Sequence, residues 1–102
     1  MRFLDLVIKE FITIVEMLED SHGIEKGRII MDREIFKDLL EKYAYMSFRG
    51  KTRVYKDLNF IIHDKNNYTM PYKEPGQKRT VRKVIINYNT YQTIKSLLEQ
   101  AD

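Results

Sequence analysis

The chain has 102 residues, no cysteine and a formal net charge of +3, with 43% hydrophobic and 32% charged residues. This length and composition predict one folded domain with a single core, and they exclude a disordered chain and a two-domain protein. The missing cysteines exclude disulfides and thiolate metal sites, which fits a reducing cytoplasm as the expected location.

The first predicted element is a long helix over residues 3–20. Its apolar side chains leave only a narrow polar stripe, spaced three or four positions apart. Charged residues interrupt the run often enough to exclude a signal peptide and a membrane span. So much apolar surface leaves two alternatives: a central post of the domain, or a homodimer through this helix. Gly23 is expected to follow its end in the left-handed conformation.

A short strand and a second helix follow. Residues 27–31 form a β-branched run, and Asp32 is the expected N-cap, its carboxylate accepting hydrogen bonds from the next turn. One face of the helix after it is apolar: Ile35, Phe36, Leu39, Leu40 and Tyr43.

A short third helix is predicted over Arg53–Leu58, with Thr52 as its cap. Val54 and Leu58 lie one turn apart on its inner side. Asn59 is expected to end the helix, because asparagine tolerates the left-handed conformation.

The β part is expected within residues 60–87. One strand begins at Phe60, two more cover residues 68–73 and 80–87, and Pro75-Gly76 has the residues of a type II turn. A C-terminal helix capped at Asn89 then follows. Its apolar face comprises Tyr91, Ile94, Leu97, Leu98 and Ala101.

Positive charge is concentrated in the middle of the chain. Residues 49–83 contain ten lysines and arginines against three acids, whereas both flanking regions are net acidic. Tyrosines 55, 68 and 72 are interleaved with the bases. Cations that follow a phosphate backbone, together with rings that stack on bases, are typical of a nucleic-acid surface. The alternative is a solvated lysine-rich face without a ligand.

The element order resembles a winged helix-turn-helix domain. The resemblance rests on the capped helix from Asp32, the connector into residues 52–58, the segment Leu58-Asn59-Phe60-Ile61 and the cationic hairpin around Pro75-Gly76. The resemblance covers roughly residues 3–88, and the last helix is an addition to it. The expected fold of residues 1–102 is therefore α+β, a winged helix-turn-helix with a long N-terminal helix, a short strand, two helices, a β-hairpin wing and a C-terminal helix. The recognition helix would cover about 52–58 and the wing about 60–87.

The resemblance also implies which residues contact DNA. On the recognition helix these are Arg53, Tyr55, Lys56 and Asn59; on the wing, Lys78, Arg79, Arg82 and Lys83; in the approach to the helix, Arg49 and Lys51. Lys65, Tyr68 and Tyr72 complete the expected contact set. Since the helix is short and carries Asp57, we expect weakly sequence-specific binding, to single- or double-stranded DNA.

The sequence lacks enzyme signatures. His22 and His63 lie in different segments, no nucleophile motif accompanies them, and the glycines form no phosphate-cradling loop. We therefore expect a non-enzymatic protein without catalytic residues, cofactor or metal site.

The chain also resembles, more generally, small winged-helix modules of phage and mobile-element replication proteins. This implies an accessory role in replication or maintenance, with DNA and a helicase, primase or polymerase as partners. Two other functions remain open. One is a dimeric transcriptional regulator, and the other is a protein-interaction or inhibitor module whose basic face binds an acidic partner.

Overall fold

A computed structural model describes residues 2–101, which form four helices and a four-stranded antiparallel sheet. The α+β class is therefore confirmed. The elements are α1 (Phe3–His22), β1 (Arg28–Met31), α2 (Arg33–Glu41), α3 (Phe48–Asp57), β2 (Ile61–Ile62), β3 (Met70–Tyr72), β4 (Val81–Asn87) and α4 (Tyr88–Gln100).

β4 is the central strand of the sheet. It pairs with β1 and β2 in the order β1-β4-β2, with Ile86 opposite both Ile29 and Ile61. β3 pairs with the beginning of β4, where Tyr72 lies opposite Val81. The sheet buries Val84 and Ile86 of β4 in the core, because alternate residues of a strand point to the same face.

α1 supplies one side of this core. Its buried apolar residues recur every three or four positions: Val7, Phe11, Ile14, Val15 and Leu18. The ring of Phe11 stacks on Phe60 with 4.0 Å between centroids. α1 therefore serves as the central post. Because Phe3, Leu4 and Met17 remain exposed, the homodimer stays a prediction.

α3 begins at Phe48, so the predicted start at Arg53 is wrong. Ser47 is the N-cap, and its Oγ accepts a hydrogen bond from the Gly50 amide at 3.1 Å. Thr52 lies inside the helix, buried, and its hydroxyl donates to the Arg49 carbonyl at 2.9 Å. The predicted end is confirmed, since Asn59 has a φ of 60°.

Two other predicted caps are corrected. Asp32 stands at the N-cap position of α2, but its side chain makes no capping hydrogen bond and pairs instead with Lys83. α4 is capped by Asn87, whose side-chain oxygen accepts from the Thr90 amide at 3.3 Å, and not by Asn89. Asn89 lies within the first turn of that helix.

A buried ion pair joins α1 to α3. Glu10 and Lys51 are 4% and 1% exposed, and the Lys51 Nζ lies 2.6 Å from the Glu10 Oε2. The other carboxylate oxygen accepts hydrogen bonds from the Tyr45 and Tyr55 hydroxyls, at 2.8 and 2.7 Å. The ammonium also donates to two backbone carbonyls near the end of α2, those of Leu40 and Tyr43. Both buried charges are thus well satisfied by hydrogen bonds.

Removing either partner of this pair is expected to destabilise the fold. Glu10→Gln and Lys51→Met should each lower the free energy of unfolding by roughly 3–5 kcal/mol, because the remaining charge stays buried without a counter-ion. Urea denaturation followed by circular dichroism measures the change.

The exposed pair Lys37–Glu41 provides the matched control. Its atoms lie 3.8 Å apart and both side chains are more than half exposed. Lys37→Met and Glu41→Gln should therefore change the unfolding free energy by no more than about 0.5 kcal/mol. Equal, small losses in both pairs would contradict the structural role of the buried one.

Candidate functional site

A groove of about 600 Å³ lies between α3 and the loop 63–69 that joins β2 to β3. We call it the α3 groove. Its α3 side is lined by Ser47, Phe48, Arg49, Gly50, Thr52, Arg53 and Lys56, and its loop side by Asn66, Asn67 and Tyr68.

The α3 groove is positively charged. Arg49, Arg53 and Lys56 follow one another at four- and three-residue spacing, which places them on one face of the helix. Within residues 2–101 none of the three forms an ion pair, and none of the described residues lining the groove is acidic. The N-terminal turn of α3 adds its partial positive charge. Such an arrangement favours phosphate groups.

Arg82 ties down the loop wall of the α3 groove. Its Nε donates to the Thr69 hydroxyl at 2.8 Å, and its Nη2 donates to the Thr69 carbonyl at 2.8 Å. The same Nη2 forms an ion pair with Asp64. Thr69 itself is 2% exposed. The guanidinium therefore joins both ends of the loop to β4.

Tyr68 anchors the same loop by packing. Its ring lies 6.1 Å from that of Phe36 in a stacked arrangement and meets the Phe48 ring edge-on at 5.5 Å. The side chain is half-buried. These contacts occupy much of the ring that was expected to stack on bases, so its structural role is the better supported one.

Lys51 and Tyr55 cannot contact a nucleic acid, contrary to the sequence prediction. They are 1% and 0% exposed and face inward to Glu10. Burial raises the pKa of the Tyr55 hydroxyl, and the adjacent Glu10 carboxylate raises it further. The hydroxyl therefore remains a hydrogen-bond donor to that carboxylate.

The two predicted wing cations on β4 are already paired. Arg82 is committed to the loop, and Lys83 forms ion pairs with Asp32 and Glu74. The Lys83 side chain is only 16% exposed. Hydrogen bonding to Asp32 raises the pKa of Lys83. These ion pairs support a role in fixing the wing and loop, and direct phosphate contact by the two cations stays a prediction.

The remaining predicted contacts fall into separate places. Lys65 is exposed in the loop, and Lys78 and Arg79 are exposed in the segment between β3 and β4. Asn59 is exposed at the end of α3, where its carbonyl accepts from the Thr90 hydroxyl at 2.9 Å. Tyr72 is half-buried on β3. None of these five residues lines the α3 groove.

Sequence reasoning missed six residues that line the groove: Ser47, Phe48, Gly50, Thr52, Asn66 and Asn67. The Ser47-Phe48 pair carried an N-cap signal that could have been found. Asn66 and Asn67 are residue types typical of turns, and their approach to α3 depends on contacts distant in sequence.

Comparison with protein-family models finds no match, and comparison with curated proteins finds none either. Within residues 2–101 no helix is long and apolar enough to cross a membrane. The same residues contain no cluster of three or more histidine or acidic side chains able to hold a metal ion.

The Asp32–Lys83 pair gives a pH-dependent contribution to stability. The hydrogen bond and charge of Lys83 lower the pKa of Asp32 below its ordinary value of 3.8. The stabilisation is therefore fully present above that value and is lost as pH falls through the folded-state pKa. Because Asp32 is 57% exposed, Asp32→Asn should lower the unfolding free energy by at most about 1 kcal/mol at neutral pH.

Chemical denaturation of the wild type and Asp32→Asn over a pH series measures this difference. It should be constant near neutral pH and shrink as the solution becomes acidic. A difference that stays constant into strong acid would contradict an ionic origin.

Proposed function

We propose that this protein is a non-enzymatic DNA-binding module with a winged-helix architecture, and that the α3 groove holds DNA phosphates. The observation that carries the proposal is the row formed by Arg49, Arg53 and Lys56. These three cations lack acidic partners among residues 2–101 and line a concave surface. Phosphate contacts supply most of the affinity of weakly specific DNA binding.

The arrangement of elements supports the winged-helix part of the proposal. α2 and α3 would be the helix-turn-helix pair, and β3 with β4 would form the wing. The order β1-β4-β2 places the first short strand against the long wing strand. Lys78 and Arg79, exposed between β3 and β4, would add phosphate contacts from the wing.

The role in replication or maintenance of a phage or mobile element rests on the sequence resemblance alone and stays a prediction. A dimeric regulator is the second candidate. It is favoured by large apolar side chains that a second copy would cover; the exposed ones on α1 and α4 are Phe3, Leu4, Met17, Leu97 and Leu98.

Removing the three groove cations should weaken DNA binding and its salt dependence together. For Arg49→Gln, Arg53→Gln and Lys56→Gln combined, the log–log salt slope should fall by about 2–3, since each contact contributes about 0.9 on duplex and about 0.7 on single strands. Fluorescence anisotropy with labelled single-stranded and duplex oligonucleotides over a salt series measures both quantities. The stoichiometry on a palindromic duplex distinguishes monomeric from dimeric binding.

The control removes three exposed cations outside the α3 groove: Lys9, Lys26 and Lys42, each replaced by glutamine. This variant has the same change in net charge and should retain a slope close to that of the wild type. Lys78→Gln with Arg79→Gln tests the wing separately. The proposal fails if the groove variant binds like the wild type, or if the control loses as much affinity.

A further inference from the structure

The loop 63–69 is an excursion out of the sheet. The pair Ile62–Ile85 is the last of β2, and the pair Met70–Lys83 is the first of β3. On β4 only Val84 separates these two pairs, whereas residues 63–69 separate them on the opposing segment. The additional residues form the wall of the α3 groove.

The base of this loop is held by hydrogen bonds and packing, and its tip is exposed. Arg82 binds Asp64 and Thr69, the Asp64 amide donates to the Thr69 carbonyl at 3.4 Å, and Tyr68 packs on the core. In contrast, Asn66 and Asn67 are exposed. A loop fixed in this way presents its tip side chains with little loss of conformational freedom on binding.

Asn66 lies in the turn of the loop, but a left-handed backbone does not explain asparagine at position 66 or 67. Within residues 2–101, the non-glycine residues with positive φ are Lys26 and Asn59, so neither Asn66 nor Asn67 needs a left-handed backbone. In the described part of the chain, the side-chain hydrogen bonds of the loop involve His63, Asp64 and Thr69. The amide groups of Asn66 and Asn67 are therefore available to a ligand.

The chemistry of these amides differs from that of the opposite wall. Arg49, Arg53 and Lys56 are cationic donors, which suit phosphate oxygens. A carboxamide offers one donor group and one acceptor. A phosphate leaves the acceptor unused, whereas in the major groove of duplex DNA adenine pairs with both, through its N6 donor and N7 acceptor. The two walls of the α3 groove thus match the two parts of a nucleotide.

We propose that Asn66 and Asn67 determine base specificity by hydrogen-bonding adenine in DNA held in the α3 groove, and that Arg82 is a positioning residue for their loop. The proposal rests on the proposed function, in which the α3 cations bind the phosphates. In this proposal the α3 wall of the groove binds phosphates, in a salt-dependent way, and the loop wall recognises the base.

Selection from randomised single-stranded and duplex DNA pools with the full chain tests the proposal. Wild-type protein should enrich adenine at one or two positions, and replacing those adenines should weaken binding by about 5- to 150-fold. Asn66→Ala with Asn67→Ala should bring this ratio close to one and leave the salt slope unchanged. Alanine fits the backbone there because both φ values are negative or extended.

Arg82→Gln separates positioning from phosphate contact. A positioning role predicts a smaller adenine preference with an unchanged salt slope. A direct phosphate contact predicts the opposite, a slope smaller by about 0.9 on duplex and an unchanged preference. The second result would overturn the role assigned to Arg82.

Gln92→Ala with Gln100→Ala is the matched control, because it removes two exposed amides on α4 outside the groove. It should keep the adenine preference. The proposal is overturned if wild-type protein enriches no adenine, or if the double asparagine variant keeps the preference. Salt-dependent binding without adenine preference overturns this inference alone, whereas absence of binding to every oligonucleotide overturns the proposed function as well.

Discussion

The buried ion pair between Glu10 and Lys51 fixes the helix on which the candidate site depends. Removing two charges from water is costly, and the cost is recovered only when geometry and hydrogen bonding are good. Here the carboxylate receives the ammonium and two tyrosine hydroxyls, and the ammonium also reaches two backbone carbonyls. This network joins α1, α3 and the end of α2.

The same pair determines which face of α3 is exposed. With about 100° of rotation per residue, Lys51 and Tyr55 lie about 200–240° around the helix from Arg49. Arg53 and Lys56 return to the Arg49 side. A helix held by its inward Lys51 therefore presents the other three cations to solvent, beside the loop that Arg82 holds. The buried pair of Glu10 and Lys51 therefore contributes both to the packing of the interior and to the positive charge of the α3 groove.

The cationic middle of the chain does not act as one surface. Lys51 is buried with Glu10, and Arg82 and Lys83 are neutralised by neighbouring acids. Among residues 2–101, Arg49, Arg53 and Lys56 of the α3 groove have no acidic partner, and other bases are exposed elsewhere. Counting charges along a sequence overstates the available positive surface, because ion pairs form between residues far apart in the chain.

The features of the fold that the sequence predicted correctly are those that interactions between neighbouring residues determine. The α+β class, the amphipathic α2 and the left-handed Asn59 follow from periodicity and backbone preference. The start of α3 could not be predicted in this way, because Ser47 and Thr52 are both residue types that cap helices well and packing selects between them. The expected cap at Asp32 was wrong because its side chain forms an ion pair with Lys83, which is distant in sequence. The groove was not predictable for the same reason, since its loop depends on Arg82 and on contacts of Tyr68.

The most direct test of this account is to locate bound DNA on the folded chain by amide chemical shifts. Titration of ¹⁵N-labelled protein with an unlabelled oligonucleotide should shift amides of residues 47–56 and 65–68 and leave most of α1 unchanged. Shifts confined to α1 and α4, with the α3 groove unaffected at saturation, would contradict the claim that α3 and its loop form the binding site.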